Sequence, residues 1–381
     1  MTGYRRTHES FEEVAALLLA FAEADDRLSA QLAVWHRGEP VVDMAVGLEL
    51  SNVSLTGVFS ASKGISAITL ARLLDQDLLR LDASVAHYWP EFGTAGKESV
   101  TVGALLAHQT GLPVVEKRLT IADLTDPSTA DLLASQRPLW EPGSAFGYHA
   151  VTIGILMEEL VRRVTGASLQ ELYEWHIRRP LGADFYLGLP EAEDHRYVPV
   201  REAQPTGEQA AEILARPAMD AIAAAVFDNV AIPSEFSTGV GLSTNIPELR
   251  RSGSAAIGGV GSAAGLAAVY AATLSSSPAP IASETVFAQM AVQRSWGLDR
   301  VLNVANCFGA VFMLPQPRMP FGGVGAYGHD GAGGVLAFAD PTTQVAFAYV
   351  PSPMQYPGGA DARSVELAQL VHRLAATRPH S

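Results

Sequence analysis

The sequence predicts an α/β domain carrying a helical one: an antiparallel sheet flanked by helices and built from both chain ends, with a mostly helical segment inserted between them. Three observations carry this reading. Strand-like hairpin patterns lie near the two termini, the stretch between them has helical periodicity broken by Pro/Gly loops, and 381 residues, 48% hydrophobic and 17% charged, suffice for a large core. Strands remote in sequence pair most simply into one sheet, which places the α/β domain at residues 1–80 and 285–381 and the insertion at 81–284.

Taken in order, the apolar run "VAALLLAFA" after Glu12 and Glu13 predicts an amphipathic helix capped near Ser10, with Glu13 at capping-box spacing. "QLAVWHRGEPVVDMAVG" (Gln31 to Gly47) holds two β-rich runs around Arg37-Gly38-Glu39-Pro40, a hairpin signature with glycine in the turn. "ISAITLARLL" (Ile65 to Leu74) is apolar around most of its circumference, which predicts a buried helix. Helical spacing follows in "TVGALLAHQTGLP", "AVTIGILMEELVRRVTGASLQELYEWHIRRPLG" and "GSAAGLAAVYAATL", while Glu191 to Gly241 is rich in Ala and Pro and shows no clear element. "CFGAVFMLP" and "GGVLAFADPTTQVAFAYVPSP" return to a strand pattern with Asp340-Pro341-Thr342-Thr343 as the turn, and "ADARSVELAQLVHRLAATR" ends the pattern as a helix.

A formal net charge of -14 and a pI near 5.1 repel a phosphate backbone, and no Lys/Arg cluster offsets them. Nucleic acid and anionic membrane surfaces are therefore not expected as partners. The single cysteine, Cys307, cannot form an internal disulfide, and no Cys/His set has zinc-ligand spacing, so neither metal nor cofactor is expected. No run reaches the roughly 18 apolar residues that cross a bilayer, and no signal peptide is evident, so the expectation is a cytoplasmic protein of open oligomeric state.

The chain has three lysines, Lys63, Lys97 and Lys117, and one of them stands inside the apolar run "VFSASKGISAITLARLL", three residues after Ser60. An arginine there could only be a fixed cation, whereas a buried lysine can lose its proton. On a helix Ser60 and Lys63 are i,i+3 neighbours, so the amine can take the proton that makes the serine hydroxyl a nucleophile. Ser62 points elsewhere, and Ser66 lacks the free helix N-terminus that would present the Ser60 N–H to an oxyanion. The pair by itself also fits an N-cap serine followed by a lysine that snorkels to solvent, the commoner origin of this spacing, although a cation in the first turn opposes the helix dipole.

Two further features fall in order along the chain. Tyr148, in "LWEPGSAFGYHAVTIGILMEEL", lies between a Pro-Gly loop and a buried helix, where a phenol can project into a cleft or sit in the core with its hydroxyl satisfied. His329, in "YGHDGAGGVLAFADP", is flanked by glycines that let backbone N–H groups approach a ligand, or is a turn residue of a hairpin.

Ser60-Ala61-Ser62-Lys63, Tyr148-His149-Ala150 and His329-Asp330-Gly331 together resemble the three motifs of the serine β-lactamase-like superfamily, which contains class C β-lactamases, DD-peptidases and the family VIII carboxylesterases. The likeness extends through "LLAHQTGLP", "WEPGSAFGYH", "PLGADFYLGLP", "GGVGSAAGLAAVYAA" and "GHDGAGGVLAFADP". It implies a β-lactamase-like fold with the site where the helical and α/β domains meet. It further implies that Ser60 is acylated and that Lys63 and Tyr148 share base and acid work. The oxyanion would rest on the N–H groups of Ser60 and Ala332, and His329 and Gly331 would border the substrate.

Two positions depart from the lactamase pattern. Ala150 stands where class C enzymes have an asparagine that contacts the acylamido group, and His329 replaces a lysine, exchanging a permanent cation for a mostly neutral group. Both changes weaken recognition of an anionic amide, and neither touches ester cleavage. His-x-Gly also looks like the family VIII esterases, and no Gly-x-Ser-x-Gly elbow offers a second route. The expected function is a serine carboxylesterase acting on small or short-chain esters. The alternatives are a β-lactamase or DD-peptidase-like hydrolase of amides and, in a different class, a non-catalytic ligand-binding protein on the same fold.

Overall fold

In the computed structural model, which describes residues 5–216 and 218–377, the hairpins from the two chain ends meet in one antiparallel sheet. Across the sheet the strands run Arg5–Thr7, Glu39–Val46, Ser29–His36, Val345–Ser352, Leu336–Asp340 and Tyr327–Asp330. The join between the ends is the pairing of Ser29–His36 with Val345–Ser352, in register from Ser29 opposite Ser352 to His36 opposite Val345. The first hairpin turns through Arg37 and Gly38, with φ of 53° and 82°. Two consecutive left-handed residues match the twist of the flanking strands, and glycine takes the second without strain.

Residue size alternates along the central strands and decides what packs on each face. Ala33, Ala337, Ala339, Ala346 and Ala348 face one core, whereas Leu32, Val34, Phe338, Phe347 and Tyr349 face the other. The alanine face admits the equally small-residue helix Ala263–Ala271 close to the sheet. The aromatic face is covered by the terminal helices Glu12–Ala24 and Ala362–Ala376, which also contact each other. Ala61–Asp75 is buried around nearly its whole circumference, as its composition requires, and packs between the sheet-edge strand Tyr327–Asp330 and the helices Thr152–Thr165 and Leu169–Tyr173.

Several expectations are corrected. The first helix is not capped by Ser10: a single 3-10 turn, Glu9–Phe11, precedes Glu12–Ala24, and His8 Nδ1 accepts the Ser10 N–H at 3.2 Å. "CFGAVFMLP" is strand only to Phe308, where Ala305–Phe308 pairs with Ser295–Leu298, because Val311 at φ 68° cannot continue a pleat. Strands are not confined to the chain ends either. Phe185–Leu187 and Gly259–Gly261 form a small sheet with Thr56–Gly57, and the Ala263–Ala271 helix, which falls within 81–284, lies on the main sheet. Among the described residues, the stretch without a clear element, Glu191 to Gly241, holds the 3-10 segments Glu191–Arg196 and Ser234–Phe236 and the short helices Gly207–Ala215 and Ala221–Phe227 among loops.

Candidate active site

The strand Thr56–Gly57 ends in a tight corner from which the Ala61–Asp75 helix departs. The corner is held from Gly259: Val58 N donates to its carbonyl at 3.1 Å, and its own N–H donates to Ser62 Oγ at 2.8 Å, while Ser62 Oγ donates onward to the Phe59 carbonyl. Phe59 takes φ of 51°, a left-handed conformation that costs a bulky residue about 1 kcal/mol or more and that the surrounding hydrogen bonds sustain. The turn leaves Ser60 partly exposed at the N-cap position.

Ser60 makes no side-chain capping bond. Its Oγ lies 3.0 Å from Lys63 Nζ, which also donates to the Ala256 carbonyl at 3.0 Å. Lys63 is fully buried, so it does not snorkel, and the alternative of cap plus solvated lysine does not describe this pair. Burial pulls the Lys63 pKa down to about 7, with the Asp330 carboxylate pulling the other way. Ser66 Oγ is spent on the Ser62 and Ala255 carbonyls, at 3.1 and 2.8 Å.

Tyr148 reaches the same point from the loop before the Thr152–Thr165 helix. Its ring centroid is 4.9 Å from Lys63 Nζ, which itself contacts Ser60 Oγ. The ring stacks on Phe308 at 6.1 Å and lies 5.3 Å from His108. Burial raises the phenol pKa well above its ordinary value, the nearby Ser60 hydroxyl opposes this, and Asp330 and Asp299 add to it. The phenol therefore stays protonated across the working pH range.

His329 is not in a turn. It belongs to the edge strand Tyr327–Asp330, is fully enclosed, and bonds through Nδ1 to the Asp330 carbonyl at 2.7 Å. Burial draws its pKa down to about 4, with Lys63 assisting and Asp330 opposing, so the imidazole is neutral. Gly331 follows the strand, and a Cβ there would stand 2.2 Å from the Val58 carbonyl, so glycine is what lets this loop touch the corner before Ser60. Ala332 sits exposed at the following turn. The three segments thus converge on Ser60, and Ala150, 7% exposed, offers only a methyl group behind Tyr148.

The sequence reading missed the residues that hold these groups in place. Asp299, fully buried, accepts the Tyr148 N–H at 2.9 Å, and His108 Nδ1, from a residue at φ 61°, accepts the His149 N–H at 3.1 Å. His149 Nε2 accepts the Leu112 N–H, so its Nδ1 carries the proton given to the Gly147 carbonyl. No motif spacing links Tyr148 to Asp299, 151 positions away, and only the fold brings them together. His108 had a signal, since it lies in "LLAHQTGLP".

A serine hydroxyl and a buried amine from one segment thus stand beside a phenol from another, and the profile described as Beta-lactamase matches residues 14–372 of this chain. The chain belongs to the beta-lactamase family. Within that family it is similar to the Esterase/beta-lactamase LipL of Mycobacterium tuberculosis, with 33% identity over 344 residues, covering 84% of this chain and 76% of that protein. Its fold is similar to that of EstA from Arthrobacter nitroguajacolicus Rue61a, with TM-score 0.88, 41% identity, and 98% and 99% of the two chains covered. It is also similar to a family VIII carboxylesterase, with TM-score 0.83, 29% identity, and 98% and 100% covered. This beta-lactamase-family chain is a serine hydrolase. Among its described residues no helix is long and apolar enough to cross a membrane, and no group of three or more His, Cys, Asp or Glu side chains could hold a metal ion.

Proposed function

We propose that the protein is a serine carboxylesterase that cleaves small or short-chain esters through an acyl-enzyme on Ser60. The observation that carries this is the 3.0 Å approach of the fully buried Lys63 amine to Ser60 Oγ. With a pKa near 7 the amine is substantially neutral at working pH and has a lone pair for the hydroxyl proton.

In acylation Lys63 takes the Ser60 proton as Oγ bonds to the ester carbonyl carbon. The oxyanion that forms accepts from the Ser60 and Ala332 N–H groups, for which no protein acceptor is assigned among the described residues. Collapse breaks the bond to the alkoxide, which receives that proton through the Tyr148 hydroxyl. Water then attacks the acyl-enzyme, gives its proton to Lys63, and releases the acid as Oγ recovers a proton. Ester cleavage suits this site because an alkoxide leaves more easily than an amine. Neutral His329 and the methyl of Ala150 provide neither a cation for a substrate carboxylate nor an amide for an acylamido group. The names of EstA, LipL and the family VIII carboxylesterase support the ester reading. A cytoplasmic location is part of the same proposal, which cell fractionation tests.

The deciding experiment assays wild type and Ser60→Ala on a chain-length series of aryl esters and on a chromogenic cephalosporin. The expected result is ester turnover that favours short acyl chains, is abolished in Ser60→Ala, and exceeds cephalosporin turnover. Ester hydrolysis surviving in Ser60→Ala would overturn the nucleophile, and dominant cephalosporin turnover would favour the β-lactamase alternative.

A further inference from the structure

Asp299 is an acid with no expected role, and it is fully buried. It stands just after the Ser295–Leu298 strand, where its N–H donates to the Val304 carbonyl at 3.0 Å and its carbonyl accepts from Asn303 N at 2.9 Å. One carboxylate oxygen, Oδ1, accepts three backbone N–H groups: Tyr148 at 2.9 Å, Val301 at 2.9 Å and Leu302 at 3.0 Å. The other, Oδ2, accepts from Asn306 Nδ2 at 3.3 Å. No ion pair to Asp299 occurs among the described residues.

The network does not stop there. Asn306, also fully buried, accepts at Oδ1 from Gln316 Nε2 at 3.0 Å and from Arg318 Nη2 at 3.1 Å, and Arg318 pairs with Asp330 at 3.5 Å. Asp330 is the carboxylate whose field reaches Lys63. A line of polar groups, buried except at Arg318, therefore runs from the Tyr148 backbone round to the residue beside His329. Leaving a carboxylate in an apolar interior costs several kcal/mol unless such bonds satisfy it, so bulk packing alone gives no reason for an acid here.

We propose that Asp299 is a positioning residue of the esterase site, fixing the Tyr148 backbone so that the phenol meets Ser60 Oγ and the leaving alkoxide. This rests on the assignment of Tyr148 as proton donor in the proposed function. Three N–H groups converging on one oxygen tie residue 148 to the loop 299–302 and leave the tyrosine no freedom at its N–H, while stacking on Phe308 restrains the ring. Placement to within about 0.5 Å is what a proton-transfer group requires, and it is gained here by a residue that touches no substrate.

The test compares Asp299→Asn, Asp299→Ala, Tyr148→Phe and the double variants on an aryl acetate. The rate is expressed per active site titrated with a fluorophosphonate, so that loss of folded protein is removed from it. Asp299→Asn is expected to lower kcat about tenfold with KM within about twofold, since an amide oxygen accepts the three N–H groups more weakly than a carboxylate. Asp299→Ala is expected to lose about 100-fold, and either change made on Tyr148→Phe is expected to add less than about twofold, because residues acting as one unit are not additive. Equal fold losses in the two backgrounds, or wild-type kcat per titrated site in Asp299→Asn, would overturn the proposal, and the asparagine variant decides alone if the alanine one does not fold. Wild-type kcat in Tyr148→Phe would instead remove the role of Tyr148, which separates the two failures.

Discussion

Lys63 Nζ bridges Ser60 Oγ and the Ala256 carbonyl at 3.0 Å each, although Ala256 lies 193 residues along the chain. A neutral amine fits both contacts: one N–H points to the carbonyl and the lone pair faces the serine proton. An ammonium would need three acceptors in a setting that excludes water.

The first prediction follows from that pair. With Lys63 near pKa 7, kcat/KM should rise with pH through about 7 as the amine loses its proton. Lys63→Arg and Lys63→Met should keep the fold and lose about 10³-fold in kcat, the scale of general-base catalysis. A pH-rate profile on an aryl acetate with circular dichroism of each variant checks this. Arginine supporting near wild-type kcat would argue against Lys63 as base.

Tyr148 should behave as an acid that does not ionise. Since burial raises its pKa well above the ordinary phenol value, it should produce no alkaline limb below about pH 9. Tyr148→Phe should lower kcat about 100-fold with the acidic limb unmoved. An alkaline limb present in wild type and missing in Tyr148→Phe would contradict this.

Stability should fall in mild acid. His149 and His329 are buried and neutral with pKa values drawn down to about 4, and His108 is lowered by burial as well. Between about pH 4 and 6.5 the unfolded chain binds more protons than the native one, so these groups make stability rise with pH. The stability they contribute is present above about 6.5 and is lost as pH falls towards 4, at up to about 1.4 kcal/mol per pH unit for each proton of difference. Melting curves from pH 7.5 to 4.5 measure it, and a flat Tm over that range would disprove neutral burial.

Gly331→Ala should damage both stability and turnover. The added Cβ meets the Val58 carbonyl at 2.2 Å, which forces the 331–334 turn away from Ser60. Overpacking of this kind costs about 1–3 kcal/mol, and displacement of the Ala332 N–H should cut kcat about tenfold or more. The lower Tm and the reduced kcat per titrated site should appear together. A variant with normal kcat would remove Ala332 from the oxyanion site.

Local patterns were legible wherever short-range chemistry set them. The Arg37-Gly38 turn, the all-round apolar helix after Ser60 and the final amphipathic helix each follow from spacing within a few residues. Three-residue strands such as Phe185–Leu187 and Gly259–Gly261 were not, because Gly259–Gly261 pairs with both Phe185–Leu187 and Thr56–Gly57, each far away in the chain. A turn at His329 stayed open beside the ligand-bordering alternative because the glycines around it mask a strand whose partner, Leu336–Asp340, lies beyond the turn.

By itself the sequence determined the i,i+3 placement of Ser60 and Lys63, the order of the three segments, and the absence of an amide at Ala150. Tertiary structure alone decided whether Lys63 was solvated or enclosed beside Ser60, because burial is a property of everything packed around it. It also decided what holds Tyr148. The Asp299 carboxylate can reach the Tyr148 N–H only after the loop before the Thr152–Thr165 helix has packed against the segment that follows the Ser295–Leu298 strand, and no periodicity in the sequence encodes that distance.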